Sequence, residues 1–508
     1  MAQRLATPGV YIEEKNAFSN SVVGLPTSVP AFIGYTEIAS KGGKSVLNRA
    51  VRITSLAEYH TYFGGGPTAK FSIQPTTGAD FDLEVGKDRY QLEQTADTRF
   101  MLYNAMRLFF DNGGGLCYVL SVGHYTKPDG SANVVEFTPM KEALNILIAE
   151  EEPTLLLAPE AVLLEAEDCY SLYKLMLSHC GDKMKNRFAV LDVHSGFNKR
   201  SYDEEDVVLG FRNGVGANFL NYGAGYYPWI HTTIVQANEL DYRNIANLDV
   251  LESILSAEVD LLTDESKPME VKKAEEIKAV IKQISDEDSN ANTLNQTLMA
   301  VCPSLKTILS QVRGQLNILP PSAAMVGIYS MVDNARGVWK APANVSLSSV
   351  VAPAVNITGD DQEDLNVTIT GKSVNAIRPF IGEGVIVWGA RTLDGNSQDW
   401  RYINVRRTLI YIEQSIKYAA KAYVFEPNTA GTWLNIKSML NNFLNELWKQ
   451  GGLVGATPDQ AFEVAVGIGS TMTPNDVLDG IMRISVKVAI SRPAEFIVVT
   501  FQQKMQES

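Results

Sequence analysis

The sequence predicts a mixed α/β protein with more than one domain. Its 508 residues exceed what one simple core accommodates, so about two to four domains are expected. Continuous apolar strands alternate with helices through the middle of the chain, which is typical of a parallel sheet covered by helices. Two amphipathic helices followed by an alternating strand then indicate an α+β region near the C-terminus.

Buried strands are predicted where short apolar runs occur, at 31–35, 154–157 and 188–193. The spacing of the apolar residues from Leu102 to Phe110 places them on one helix face, and residues 170–180 form a second helix. The first thirty residues have a turn signal and no helical period, so we expect an extended arm that needs a partner surface. The predicted organisation is an arm (1–30), the first part of the core with a variable loop near 64–96 (31–130), an α/β domain with a helical insertion near 248–316 (131–375), and a C-terminal domain with helices and terminal strands (376–508).

The C-terminal region has the most regular patterns. Apolar residues at helical spacing predict one helix from Val405 to Ile416 and another from Trp433 to Leu447. Met482, Ile484, Val486, Val488 and Ile490 alternate with other residues, which predicts a half-buried antiparallel strand. A second apolar strand is predicted at 495–501.

Charge and cysteine content limit the partners and the compartment. The net charge is −14 and the isoelectric point is about 5.0, which disfavours nucleic acid as a partner. Cys117, Cys169, Cys180 and Cys302 are widely spread without a C-x-x-C pair, which favours a reduced, cytoplasmic protein with buried thiols. Neither a hydrophobic leader nor an apolar run of about 18 residues is present, so no membrane insertion is expected.

The sequence motifs predict no catalytic residue, cofactor or metal site. Gly42-Gly43-Lys44-Ser45 has the end of a phosphate-binding loop, but Ile38 stands where the motif needs its first glycine. Asp192, His194 and Ser195 are the residue types of a hydrolase triad, yet such close neighbours on a strand cannot converge as a triad does. An α/β hydrolase remains the enzymatic alternative.

Basic residues are concentrated between Arg401 and Lys449. Seven bases and three acids lie there, in a chain that is acidic as a whole. The cluster is either a solvated helix face or a contact with an acidic partner. Its bases include Arg406, Arg407, Lys417, Lys421, Lys437 and Lys449.

Several segments together resemble contractile-tail sheath proteins. They are Pro8-Gly9-Val10-Tyr11-Ile12-Glu13-Glu14, Phe109-Phe110-Asp111-Asn112-Gly113-Gly114, Tyr226-Tyr227-Pro228-Trp229, Pro320-Pro321-Ser322-Ala323-Ala324-Met325, 332–344 with Trp339-Lys340-Ala341-Pro342-Ala343-Asn344, Asn375-Ala376-Ile377-Arg378, 387–393, 400–407, 425–428 and 487–497. The single long chain is more similar to phage-type sheaths than to type VI secretion sheaths, which divide the unit between two chains. A baseplate or non-contractile tube protein is the nearest structural alternative.

The resemblance implies a subtilisin-like α/β domain without protease activity, plus a C-terminal α+β domain. It implies a sheath that polymerises in stacked, sixfold rings around an inner tube and contracts without nucleotide hydrolysis. Its partners would be further copies of itself, the tube, the baseplate and the terminator or cap proteins, first in the bacterial cytoplasm and then in a phage tail or tail-like particle.

The resemblance also implies site residues for assembly. The N-terminal arm, with Pro8, Gly9, Val10, Tyr11, Ile12 and Glu13, would insert beside C-terminal strands of a neighbour. Those strands contain Ile484, Val486, Val488, Phe496, Ile497, Val498 and Val499. The bases between Arg406 and Lys449 are the candidates for the tube contact.

Overall fold

The computed structural model describes residues 22–263, 266–286, 290–367 and 371–498. These residues divide into two compact units. In the described part of the chain, the larger unit contains residues 26–407 and 492–498, and the smaller unit contains residues 22–25 and 408–491.

The larger unit is built around one large mixed sheet. Its strands are β1 (Pro30–Thr36), β2 (Ser40–Lys41), β3 (Lys44–Ser45), β4 (Ala50–Ile53), β5 (Phe71–Thr76), β6 (Leu83–Val85), β7 (Asp88–Gln94), β8 (Cys117–His124), β9 (Leu155–Leu157), β10 (Phe188–Asp192), β11 (Gly223–Tyr227), β12 (Ile230–Thr232), β13 (Ile318–Leu319), β14 (Val345–Ser346), β15 (Val350–Pro353), β16 (Asn375–Phe380) and β17 (Gly384–Val387). Nine of them form the main sheet, in the order β14-β17-β16-β11-β10-β9-β1-β8-β4. The central strands from β16 to β8 are parallel, and antiparallel strands complete both edges.

Helices cover both faces of this sheet. They are α1 (Leu56–Phe63), α2 (Leu102–Asp111), α3 (Phe137–Ile146), α4 (Ala166–Ser178), α5 (Val207–Gly214), α10 (Ser322–Arg336) and α11 (Gly359–Asn366). Four further helices of the larger unit, α6 (Leu248–Leu262), α7 (Pro268–Ile281), α8 (Ala291–Val301) and α9 (Pro303–Leu316), pack elsewhere. Along β1, Ile33 and Tyr35 join a core with α3, α4 and α5, whereas Phe32 joins a core with α2 and α10. Because successive side chains of a strand point to opposite faces, the sheet is buried on both sides. The predicted mixed α/β fold class is confirmed.

A third hydrophobic core lies outside the main sheet. The strands β5, β6 and β7 form a separate antiparallel sheet, and its Phe71 and Ile73 share a core with Leu251 and Leu255 of α6. Helices α7, α8 and α9 contribute to the same core. Residues 64–96, expected to form a loop, therefore contain strands, because α6 to α9 supply the apolar partner that this sheet lacks on its own.

The smaller unit consists of helices and one two-stranded sheet. Its elements are α12 (Ile403–Ala420), which begins in the larger unit, α13 (Ala430–Lys449), α14 (Pro458–Ala461), α15 (Pro474–Leu478), β18 (Phe462–Val466) and β19 (Ile484–Val488). The predicted apolar face of α13 is buried, including Ile436, Leu440 and Leu444. The strand β17 and all of β16 except Asn375 fall within the predicted domain 376–508, yet both strands belong to the main sheet. The predicted domain boundaries stay a prediction.

Candidate assembly surfaces

Of the two strands predicted in the C-terminal region, the first is present within the subunit as β19. β19 pairs antiparallel with β18, from Phe462 opposite Val488 to Val466 opposite Ile484. Ile484, Val486 and Val488 are half-buried and alternate with exposed residues, as their pattern predicts. In the described residues this sheet has only these two strands, so each strand keeps one open edge. Open edges offer unpaired backbone groups to a strand from another chain.

The predicted terminal strand is not formed within the described part of the subunit. Phe496, Ile497 and Val498 belong to no strand there, and their side chains are exposed by 71%, 81% and 89%. Three consecutive exposed apolar side chains are unusual on a monomer surface, so these residues remain candidates for a contact with another molecule. Val499 and the arm residues from Pro8 to Glu13 lie outside the described residues.

Two of the predicted tube contacts are wrong, because Arg406 and Arg407 are buried inside the larger unit. The Arg407 guanidinium donates to both carboxylate oxygens of Asp333, at 3.0 and 2.5 Å, and lies 4.7 Å from the Tyr329 ring centroid. The Arg406 guanidinium packs over the rings of Tyr222 and Trp400. Their charge predicted a surface position for both arginines. Asp333 and Tyr222, which are distant in sequence, instead contact them in the interior.

The burial of Arg406 and Arg407 leaves fewer basic side chains on the surface than the sequence predicts. Arg401 is also half-buried in the larger unit, where its Nε donates to the carbonyl oxygen of Gly395 at 2.9 Å. The remaining bases of the cluster are Lys417, Lys421, Lys437 and Lys449, and all four side chains are exposed. Three acids accompany these four lysines, so a local excess of one positive charge remains where four were expected.

An exposed apolar corner accompanies the lysines, and sequence reasoning missed it. Tyr418, in the last turn of α12, and Val424, between α12 and α13, are each 59% exposed, and Phe425 is fully exposed. Phe425 also has a φ of 72°, a left-handed conformation that is unfavourable for a bulky residue. We call residues 417–425 the exposed corner. The sequence signal was the apolar pair Val424-Phe425, separated by one residue from the turn-forming pair Pro427-Asn428.

The residue types of a triad do not form one in the structure. The Asp192 carboxylate accepts from the backbone nitrogen of Ser322 at 2.8 Å, and burial raises its pKa to about 7. His194 Nε2 lies 3.0 Å from the carbonyl oxygen of Leu164, so this nitrogen is the donor and Nδ1 accepts from Ser195. Burial lowers the pKa of His194. Among the described residues no group of histidine, cysteine and acidic side chains could hold a metal ion.

Comparison with known proteins finds similarity to tail sheath proteins. The family model of the phage tail sheath C-terminal domain matches residues 396–504. A tail sheath protein of Burkholderia phage BcepMu is 25% identical over 171 residues, which are 33% of this chain and 35% of the relative. The chain thus aligns with about a third of the length of this curated relative.

Solved structures match over nearly the whole chain. The sheath of an extracellular contractile injection system (PVC) in its contracted state is 26% identical, with a TM-score of 0.59 and 99% of both chains covered. The contracted helical sheath of the anti-feeding prophage is also 26% identical, with a TM-score of 0.60, and the match covers 98% of this chain and 99% of that one. The chain is similar to contractile tail sheath proteins, in its C-terminal sequence and along nearly its whole length in structure. Its sheath-like mixed α/β fold extends through both units. No helix in the described residues has both the length and the apolar character to cross a membrane.

Proposed function

We propose that this chain is a structural sheath subunit that polymerises helically around an inner tube and then contracts, driving the tube through a target envelope. The observation that carries the proposal is the match of 98–99% of the chain to sheaths solved in the contracted state. The subunit would act without nucleotide hydrolysis, since Ile38 interrupts the phosphate-binding pattern. Contraction would be a near-rigid-body rearrangement of subunits held in a strained extended lattice.

Strand exchange would join the subunits. The β18–β19 sheet has open edges, and isolated two-stranded sheets are only marginally stable in water. A neighbour's arm, with Val10, Tyr11 and Ile12, would add a strand and complete this sheet, as would Phe496 to Val499. Each added backbone hydrogen bond would contribute about 1 kcal/mol net. Several such bonds for each subunit would keep the lattice connected while its subunits move.

The inner tube would contact the exposed corner together with Lys437 and Lys449. Lysines at an exposed surface can set the register on an acidic tube through long-range attraction. Phe425 would supply the apolar anchor, because a fully exposed aromatic side chain gains most from burial at an interface. The contact must still break on firing, which fits a few anchors with a nearly balanced charge. Reversing Lys437 and Lys449 to glutamate should weaken tube binding, and unchanged binding would remove α13 from the contact.

Assembly in the bacterial cytoplasm would precede incorporation into a phage tail or a tail-like particle. The subunits would form sixfold rings. Their further partners would be the baseplate and the terminator or cap proteins. The anti-feeding prophage baseplate contains a chain that is 27% identical to this one with a TM-score of 0.59, which supports a place near the baseplate.

Electron microscopy of the purified protein tests the proposal. Concentrated protein, alone and with its tube protein, would be examined by negative staining. Hollow, ridged cylinders of uniform width are expected, at least when the tube is present. Monodisperse globular particles in both samples would reject the sheath function.

A further inference from the structure

The C-terminal segment is fixed to the larger unit at one residue, Glu495. Arg391 Nε donates to Glu495 Oε1 at 2.9 Å, and Arg391 Nη2 donates to Oε2 at 2.6 Å. The Tyr402 hydroxyl lies 3.2 Å from the same Oε2. Two-pronged pairing of a guanidinium with a carboxylate fixes both position and direction, and it is among the stronger polar contacts in proteins.

The structure around Arg391 holds this residue in place independently of Glu495. Its side chain is 4% exposed, and Nη1 donates to the carbonyl oxygen of Asn366 at 2.8 Å. Its backbone nitrogen donates to Asn375 Oδ1 at 2.7 Å, and its carbonyl oxygen accepts from Asn375 Nδ2 at 2.8 Å. Asn375 lies on β16 of the main sheet. The guanidinium is therefore a rigid receptor for the carboxylate.

The residues on either side of Glu495 have no comparable attachment. Arg492 and Asp399 are 3.8 Å apart, and their side chains are 52% and 80% exposed, so solvent screens that pair. From Phe496 to Val498 the side chains are exposed. Glu495 is thus a single firmly held residue between weakly attached residues on one side and exposed apolar residues on the other.

We infer that Glu495 is the root of the C-terminal intersubunit arm, a positioning residue that Arg391 and Tyr402 hold so that the exposed residues 496–498 reach a neighbouring subunit. The inference rests on the proposed function. A fixed root restricts the orientations of the arm, which lowers the conformational entropy lost when the arm adds to a neighbour's sheet. During contraction the same ion pair would transmit force from the arm to the main sheet.

The test combines an arm-mobility measurement with an assembly measurement. Glu495→Gln keeps the shape of the side chain and removes its charge, and Asp399→Asn removes the charge of the neighbouring exposed pair. A spin label on Ala494→Cys reports the segment selectively, because the native cysteines at 117, 169, 180 and 302 are buried. With Glu495→Gln, we expect a more mobile label and about tenfold weaker sheath assembly, in a protein that stays folded but has a lower unfolding midpoint because the buried Arg391 loses its counter-charge. With Asp399→Asn, both readouts should match the parent protein.

The outcomes separate this inference from the sheath function. An equally immobile label in Glu495→Gln would contradict the anchor. A mobile label with normal assembly would show that the anchor does not position the arm, while the sheath function stands. Failure of the parent protein to assemble with its tube would reject the sheath function itself, and the label would still report on the anchor.

Discussion

Glu160 is a buried carboxyl that connects three parts of the larger unit. It accepts hydrogen bonds from the backbone nitrogens of Tyr35, Met101 and Leu102, at 2.8, 2.8 and 3.0 Å. These bonds join the end of β1 to the start of α2. Burial raises the pKa of Glu160 to about 7, although the three donors favour the ionised form. Nothing in the local sequence, Ala158-Pro159-Glu160, distinguishes this residue from a surface acid.

The pH dependence of the free energy of unfolding should reveal the ionisation of Glu160. Its folded pKa lies above the unfolded value, so the folded state keeps the proton longer and stability falls as pH rises from about 5 to about 7. Relative to Glu160→Gln, which does not titrate, the wild-type protein should lose about 2 kcal/mol of unfolding free energy across this range. Urea unfolding at several pH values measures it. Two other buried groups also titrate near this range: Asp192, whose pKa burial raises to about 7, and His179, whose pKa burial lowers to about 4. Both titrate alike in the wild-type protein and in Glu160→Gln, so they cancel from the difference in unfolding free energy between the two. Parallel pH profiles would contradict the account of Glu160.

Phe425 should affect stability and binding in opposite directions. Its left-handed backbone costs energy that glycine does not, so Phe425→Gly should raise the free energy of unfolding by about 1 kcal/mol. The same change removes the proposed tube anchor and should weaken tube binding at least about tenfold. Chemical unfolding and tube cosedimentation measure the two effects. Leu478→Gly, at another exposed apolar residue of the smaller unit, is the binding control. If both variants bind the tube like the parent, Phe425 is not an anchor.

At the scale of elements, local sequence patterns correctly predicted several of the buried strands of the main sheet. The apolar runs at 31–35, 154–157 and 188–193 correspond to β1, β9 and β10, because parallel strands buried on both faces are continuously apolar. β11 was missed: Gly223 and Gly225 interrupt its pattern, and a Cβ at Gly225 would lie 2.7 Å from the Phe211 ring. The glycines are needed for close helix packing, a contact that sequence spacing does not reveal.

The candidate surfaces were predictable only in part, for a related physical reason. The alternation at Ile484, Val486 and Val488 predicted β19 because a half-buried strand has a period of two. The burial of Arg407 depends on Asp333, 74 residues earlier in the chain. Likewise, the sheet β5–β7 depends on helices that begin more than 150 residues after it. Pairings over such distances leave no local pattern.

Removing the arm tests strand exchange at this scale. Deletion of residues 1–20 should leave a folded monomer that forms no cylinders, because the β18–β19 edges then lack their partner strand. Circular dichroism and negative-stain microscopy measure the two outcomes. Replacing Val10, Tyr11 and Ile12 by serine keeps the arm length and should also impair assembly. Normal cylinders from the deletion variant would refute arm exchange.

In the whole molecule, charge is divided unevenly between the two units. Residues 408–491 contain six bases and seven acids, a net charge of −1, whereas the entire chain has −14. The remaining −13 therefore lies outside these residues. Neighbouring subunits of a sheath would repel each other through these acidic parts, and the nearly neutral smaller unit would be free of this repulsion when it approaches an acidic tube.

Salt should separate the two kinds of contact. Raising the salt concentration from about 0.05 to about 0.5 M shortens the screening length several-fold, so self-assembly should become more favourable. Tube binding through the exposed lysines should become weaker under the same change. Light scattering and cosedimentation measure the two effects. In Lys437→Gln with Lys449→Gln, tube binding should depend less on salt, while self-assembly keeps its response. Equal salt responses of tube binding in the parent and this variant would exclude both lysines.

The measurement that tests the central claim most directly is cryo-electron microscopy of sheaths assembled on tube and baseplate in nucleotide-free buffer, before and after a brief exposure to mild urea. A strained lattice held by a kinetic barrier should shorten and widen without any nucleotide, leaving the tube protruding and the subunits still connected. Cylinders that keep one length, or that fall apart into monomers without an intermediate compact lattice, would contradict the account.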